Sequence, residues 1–349
     1  MKVSEETSQK IKNMSIICAM LVVTIHVDWP HDAFSFTWLI HEFIRDGIAK
    51  IAVPFFFVVS GFFLSKHMND PNWYGSEIKK RYYSLVIPFV VWTVIATILV
   101  TPLSIIADII AHRPFGYTPG FTNGRWIETF GLDPRHGPNC LGALWYVRCL
   151  FCFVLLAPIF KWLVGKGKFI WLACAFTLTL SHASWAPFPP YLQKCFSLGF
   201  SLSGVFYFSI GVFIGLSNAN TLTRLAFPIC ALIGITLLVC KTMLSFNNVD
   251  PHVSLMTIAI PFLMYSVWHL TPSSKWSSAF TSCSFPIFLM HMPLIPYFSL
   301  PIKHSPLCGS QIGSIIIIFI GVTLLSFCIT ITLRKFFPKL NAFLFAGRS

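Results

Sequence analysis

Apolar runs long enough to cross a bilayer recur along this sequence, and they decide what it can fold into. A membrane-spanning helix needs about 20 apolar residues, within a range of roughly 17–25. Ten stretches qualify, near residues 13–29, 48–65, 85–106, 142–162, 168–185, 198–217, 225–246, 254–271, 281–299 and 312–334. Hydrocarbon offers the backbone no hydrogen-bond partners, so each run must close its bonds internally as a helix. The expected fold is an all-α membrane protein, a polytopic bundle of about ten transmembrane helices forming one domain over residues 1–349. Only 11% of the chain is charged and its mean hydropathy is +0.73. A soluble domain carries about 25% charged residues, so this chain lacks the polar surface to cover itself in water. The ninth run holds Pro286, Pro293 and Pro296, which free backbone carbonyls and favour a kink.

The net charge of +13 would suggest nucleic acid in a soluble protein. In a polytopic chain, Lys and Arg collect in cytoplasmic loops instead. With the N-terminus inside, 16 of the 25 Lys and Arg residues fall on inner segments. That bias predicts both termini in the cytoplasm, a lipid bilayer as partner and no nucleic acid. The basic N-terminal segment followed by an apolar run has no small-residue cleavage pattern, so it reads as a retained first helix. Most of the 11 Cys lie in apolar runs, where Cys acts as a small hydrophobe. No paired CxxC or Cys/His metal pattern occurs, so no metal is expected. Cys140, Cys195 and Cys308 fall in loops placed outside, where a bridge is open to them.

Ionisable groups inside membrane runs are costly and by default mark function. "LVVTIHVDWP" places His26 and Asp28 at the end of the first run, "GIAKIAVPFFF" places Lys50 at the start of the second, "ALWYVRCLF" places Arg148 in the fourth, and "SFPIFLMHMPL" places His291 in the ninth. His26 lies about 20 Å from the cytoplasmic start of its helix at 1.5 Å per residue. On this map His26, Lys50, Arg148 and His291 all occupy the outer half and could share one polar cavity. Plainer readings compete: Lys50 can snorkel, Arg148 can anchor with the interfacial Trp145 and Tyr146, and Asp28 sits near enough to the surface to be hydrated. Asp28 can also orient His26, although residues i and i+2 do not share a helix face. In "FFFVVSGFF", Ser60 and Gly61 have a packing explanation, because small residues let membrane helices approach closely. Arg81, in "KKRYYSLVIPF", can be one more inside charge, or it can bind phosphate bidentately at an inner mouth. The loop 107–141, with His112, Arg113, Trp126, Arg135 and His136, is long enough to be functional, and a solvated cap is an equal reading of it.

Together these stretches resemble the membrane-bound acyltransferase 3 family, whose members O-acylate sugars and other extracytoplasmic acceptors. The resemblance rests on "LVVTIH", "KIAVPFFFVVSGFF", "KKRYYSLVIPF", "ALWYVRCLF" and "IFLMHMPL", which occur in the family's order across nearly the whole chain. Single stretches of this kind are weak signals; the ordered set on a polytopic background is specific. Many relatives carry an Asp and an Arg in the first helix, roughly four and three turns before the His. Those positions read here as Lys12 and Ser15, and Ser84 stands where a second Arg often follows the first.

The resemblance implies a plasma-membrane enzyme that moves an acyl group, most simply acetyl, from cytoplasmic acetyl-CoA or another acyl-CoA to a hydroxyl of a glycan or lipid-linked saccharide. It implies no permanently bound cofactor; acyl-CoA is a co-substrate. His26 is then the expected general base or a transient acyl carrier, since an imidazole near pKa 6.5 can take a hydroxyl proton at neutral pH. Arg148 or Lys50 would stabilise the oxyanion, and His291 would orient the acceptor or shuttle a proton. Arg81, with Lys50 and Ser60, would contact the donor; Trp145, Tyr146 and Asp28 would face the acceptor. A transporter of a polar glycan intermediate is the competing reading, because buried His and Arg and a Pro-broken helix also suit a substrate pathway. A non-catalytic scaffold leaves the ionisable groups without a purpose.

Overall fold

The computed structural model describes residues 3–27, 35–110, 112, 141–181, 201–217, 226–247, 254–303, 305 and 311–347. Asp28, the three loop cysteines and nearly all of the loop 107–141 lie outside them. Among the described residues the chain is all-helical. The principal helices are α1 Glu5–His26, α2 Phe36–Ile40, α3 Ala52–Ser65, α4 Trp73–Arg81, α5 Ile87–Ile110, α6 Trp145–Leu155, α7 Ala157–Ser181, α8 Leu202–Leu216, α9 Phe227–Phe246, α10 Ser254–Leu270, α11 Ser278–Thr281, α12 Ser284–Lys303, α13 Gln311–Phe336 and α14 Pro338–Leu344.

Among the described residues, five helical stretches are long and apolar enough to cross a membrane, or six if the bent pair Gly142–Leu155 and Ala157–Thr177 counts as one span. The chain is therefore a multi-pass membrane protein. The α8 and α10 helices are apolar but shorter, and α1 is diluted by Gln9, Lys10, Lys12 and Asn13 near its start. Each of the ten expected runs contains helix among its described residues, but α1 begins at Glu5, eight residues before the first run, and the fourth and fifth runs share α7. The fourth run bends by 66° at Leu156, where no break was expected. The break expected between the fourth and fifth runs is a non-helical backbone at Gly167 (φ −147°, ψ 49°) inside α7. The ninth run, despite its prolines, is one helix. Pro286 lies in its first turn, where a backbone N–H has no intrahelical partner to lose.

The outward faces of α9 and α13 present Ile229, Leu232, Ile235, Ile316, Ile320 and Leu324, as lipid contact requires. The centre of the bundle belongs to α1, α3, α8 and α12. Glycines bring α3 and α8 into backbone contact: a Cβ on Gly61 would stand 2.2 Å from the Phe208 carbonyl oxygen, and one on Gly211 would stand 2.0 Å from that of Val58. The packing role read for Gly61 thus has a specific partner. Substituting Gly61 by Ala has no flexible side chain to displace, so the helices must separate. We expect the melting temperature of the detergent-solubilised protein to fall by roughly 5 °C or more; an unchanged transition by intrinsic fluorescence would refute this packing account.

The first helix is anchored by a residue that does not stand out in the sequence. Fully buried Asn13 donates through Nδ2 to the carbonyls of Pro272 and Ser274, both at 2.9 Å. At the other end of α1, the chain returns through α2, a π-turn over His41–Arg45 and a 3₁₀ turn over Ile48–Ile51. Pro54 follows in the first turn of α3, where its missing N–H costs nothing. A second π-turn, Tyr82–Val86, precedes Pro88. Its wider winding accommodates a ring that would otherwise press on the carbonyl four residues earlier.

Candidate active site

Packing of α1 along α12 joins two residues separated by most of the sequence. The rings of His26 and His291 lie 5.1 Å apart, centroid to centroid, inclined at 42°. His291 is fully buried. Its Nδ1 lies 2.7 Å from the Phe288 carbonyl oxygen. A carbonyl oxygen only accepts, so Nδ1 carries the hydrogen and Nε2 presents its lone pair. That Nε2 has no hydrogen-bond partner among the described residues.

The chain after His26 surrounds this end of α1 with charge. Arg45 donates from Nε to the Ile25 carbonyl at 2.7 Å, and its Nη1 meets His41 Nε2. Lys50 pairs with Asp46 at 3.1 Å, Asp46 also lies 3.3 Å from His41, and Lys241 reaches across from α9 to pair with Glu42. Among the described residues, Arg45 and Lys50 are the cations in electrostatic reach of His26. The metal-ligating types His41, Glu42 and Asp46 lie together, but Lys241 and Lys50 already answer the two carboxylates. Of this group only Lys50 is prominent in the sequence. Arg45, Glu42 and Asp46 look there like interfacial charges between two apolar runs.

A cavity of about 890 Å³ opens at the opposite end of α1. It is lined by Ile11, Lys12 and Ser15 of α1, by Phe56, Val59, Ser60 and Phe63 of α3, by Tyr146, Val147 and Leu150 of α6, and by Ser284, Phe285 and Phe288 of α12. His67, Lys80 and Arg81 add basic groups, and Ala342, Phe343 and Ala346 at the C-terminus close one side. One buried carboxylate gathers those basic groups: Glu77 lies 3.2 Å from Arg81 Nε, 3.5 Å from Lys80 and 3.9 Å from His67. Deeper in, the hydroxyls of Ser60 and Tyr146 are 3.4 Å apart. The Tyr146 ring is 5.8 Å from Phe288, which is 6.0 Å from His291.

The expected residues thus divide between two zones. Arg81, Ser60 and Tyr146 line the cavity, and so do all three positions where the sequence departs from its relatives, Lys12, Ser15 and Ser84. His26, His291 and Lys50 belong to the other zone. His26 stands eleven residues beyond Ser15, about 16 Å along the helix, so the cavity stops at Phe288 and Tyr146 and does not enclose the histidines. Arg148 does not line it. At 100° per residue, Arg148 is turned away from the face carrying Tyr146, Val147 and Leu150. Trp145 packs against Phe57 at 6.2 Å rather than lining the cavity.

A helical membrane bundle with a paired histidine beside a basic-mouthed cavity has the parts of a membrane transferase. The chain belongs to the acyltransferase 3 family: the family described as "Acyltransferase domain" matches residues 10–333. It is 26% identical over 239 residues to the succinoglycan biosynthesis protein ExoH of Rhizobium meliloti (strain 1021), covering 64% of this chain and 59% of that protein. It is 25% identical over 293 residues to a serine/alanine racemase of Enterococcus gallinarum, covering 76% of this chain and 38% of the racemase. The chain therefore spans less than two thirds of either relative. No solved structure gives a significant match.

Proposed function

We propose that this protein is an integral membrane O-acyltransferase that moves an acyl group, most simply acetyl, from acyl-CoA to a hydroxyl of a cell-surface glycan or its lipid-linked precursor. The observation that carries the reading is the His26–His291 pair set one helical turn beyond the end of the basic-mouthed cavity. The relative named for succinoglycan biosynthesis favours a glycan acceptor. With both termini cytoplasmic in a plasma-membrane protein, as the distribution of Lys and Arg supports, the cavity faces the cytoplasm and the histidines lie toward the outer surface.

The residues then have distinct tasks. Arg81 and Lys80, with Lys12, hold the phosphates of coenzyme A at the mouth. The Ser60 and Tyr146 hydroxyls receive the acyl end of the donor. His26 takes the acceptor's proton as its oxygen attacks. Lys50 and Arg45 stand where they offset the negative charge that develops on the acyl oxygen. Acceptor contacts by Asp28 and the loop 107–141 complete the outer side of the proposal.

The reading is tested with vesicles that expose the cytoplasmic face, supplied with radiolabelled acetyl-CoA. Wild-type protein should place label on glycan. Arg81→Ala should raise the donor KM about 10-fold or more while changing kcat little, since one charge-assisted contact to a phosphate is worth roughly 1.5–3 kcal/mol. Vesicles with folded wild-type protein that transfer no label would sink the proposal and favour glycan transport. An unchanged KM would remove Arg81 from donor binding.

A further inference from the structure

Donor cavity and outer histidine are separated, and that raises the question of how an acyl group passes between them. Along α12 the order is Phe288 on the cavity wall, then His291 one turn on, with His26 packed against it. A fully buried imidazole nitrogen without a hydrogen-bond partner is uncommon and costs about 1–3 kcal/mol, so it calls for a reason. In His291 that nitrogen is Nε2, left as a bare lone pair because Nδ1–H is committed to the Phe288 carbonyl. A lone pair held in a fixed tautomer, one turn from the cavity wall and beside His26, is arranged as a nucleophile.

We infer that His291 carries the acyl group between the two zones as an Nε2-acyl intermediate, an inference that rests on the acyl transfer proposed above. Nε2 attacks the thioester carbonyl carbon, the C–N bond forms, the C–S bond breaks, and its electron pair leaves with the coenzyme A thiolate. The proton stays on Nδ1, in its hydrogen bond to the Phe288 carbonyl, so the carrier is an acylimidazolium, more electrophilic than the thioester it replaces. The acceptor hydroxyl then attacks the same carbon while His26 takes its proton. The C–N bond breaks, its pair returns to Nε2, and His26 releases the proton to solvent. Direct transfer would require donor, acceptor and His26 to meet at one point; the carrier requires only that each substrate reach His291 in turn.

A two-step transfer returns coenzyme A before any acceptor binds, and that is what the experiment reads. Purified full-length protein in lipid nanodiscs is given acetyl-CoA and isotopically labelled free coenzyme A, with no acceptor. Label should pass into acetyl-CoA with wild-type protein. It should persist in His26→Ala, which blocks only the second step, and fall about 100-fold or more in His291→Gln, which keeps a donor for the Phe288 carbonyl but no nucleophile. Absence of exchange from wild-type protein that acylates glycan in the vesicle assay would overturn the carrier and leave the acyltransferase reading intact. Exchange that survives His291→Gln would also overturn it. Protein that neither exchanges nor acylates glycan would overturn both.

Discussion

Replacing His26 by Ala is expected to lower glycan acylation about 10²–10⁴-fold, the range that a positioned general base contributes. The side chain sits at the last residue of α1, beyond the aliphatic turns that pack the helix. Its removal therefore takes an imidazole from the site without opening the core around Ile16, Ala19 and Val23. The loss should fall on kcat, with the donor KM little changed, because His26 stands about 16 Å along α1 from the cavity-lining Ser15. His26→Ala in matched membranes, assayed by transfer of labelled acetyl to glycan, checks this. Activity within a few-fold of wild type would take His26 out of the chemistry, whatever its position beside His291.

Most of the helical map is legible in the apolar runs of the sequence. Their length fixes where a backbone must satisfy itself, and each run contains helix. The bend at Leu156 and the continuity of α12 through its prolines are not legible there, because neighbouring helices decide both. The site is half legible. His26 and His291 stand out as polar residues in apolar sequence, but their 5.1 Å contact depends on α1 lying along α12. Periodicity alone turns Arg148 from the face of Tyr146, yet the sequence does not say which face meets the cavity. Glu77, Asp46 and Arg45 escape notice for a common reason. A charge near the end of an apolar run reads as solvated, and only the fold reveals that Glu77 is buried among three basic groups. Lys12 and Ser15 look like losses against the family pattern. Lys12, Ser15 and Ser84 all stand on the wall of the cavity proposed to take the donor, so the departures are gathered at one place in the fold.

Arg45→Ala is expected to reduce kcat about 10–100-fold with little change in donor KM, because it loosens the end of α1 that carries His26. The last carbonyls of a helix lack intrahelical partners. Arg45 supplies one to Ile25, the residue before His26, and braces itself on His41 within the same π-turn. The Glu42–Lys241 pair ties that turn to α9, so the guanidinium acts from a fixed base. A displacement of about 1 Å at a catalytic group can cost 10²-fold, which sets the scale. Lysine keeps the charge but cannot reproduce a planar guanidinium donating along two directions. Arg45→Lys separates the two contributions: if the positive field near His26 is what matters, Lys should restore most activity, and if geometry matters it should not. The structure favours geometry, since Lys50 already supplies a second charge in reach of His26. We therefore expect Arg45→Lys to recover less than a third of the lost activity on the logarithmic scale, and to leave the donor KM at its wild-type value. Full recovery by Lys would replace positioning with electrostatics as the role of Arg45. An Ala variant as active as wild type would show that the hydrogen bond to Ile25 does not set the position of His26.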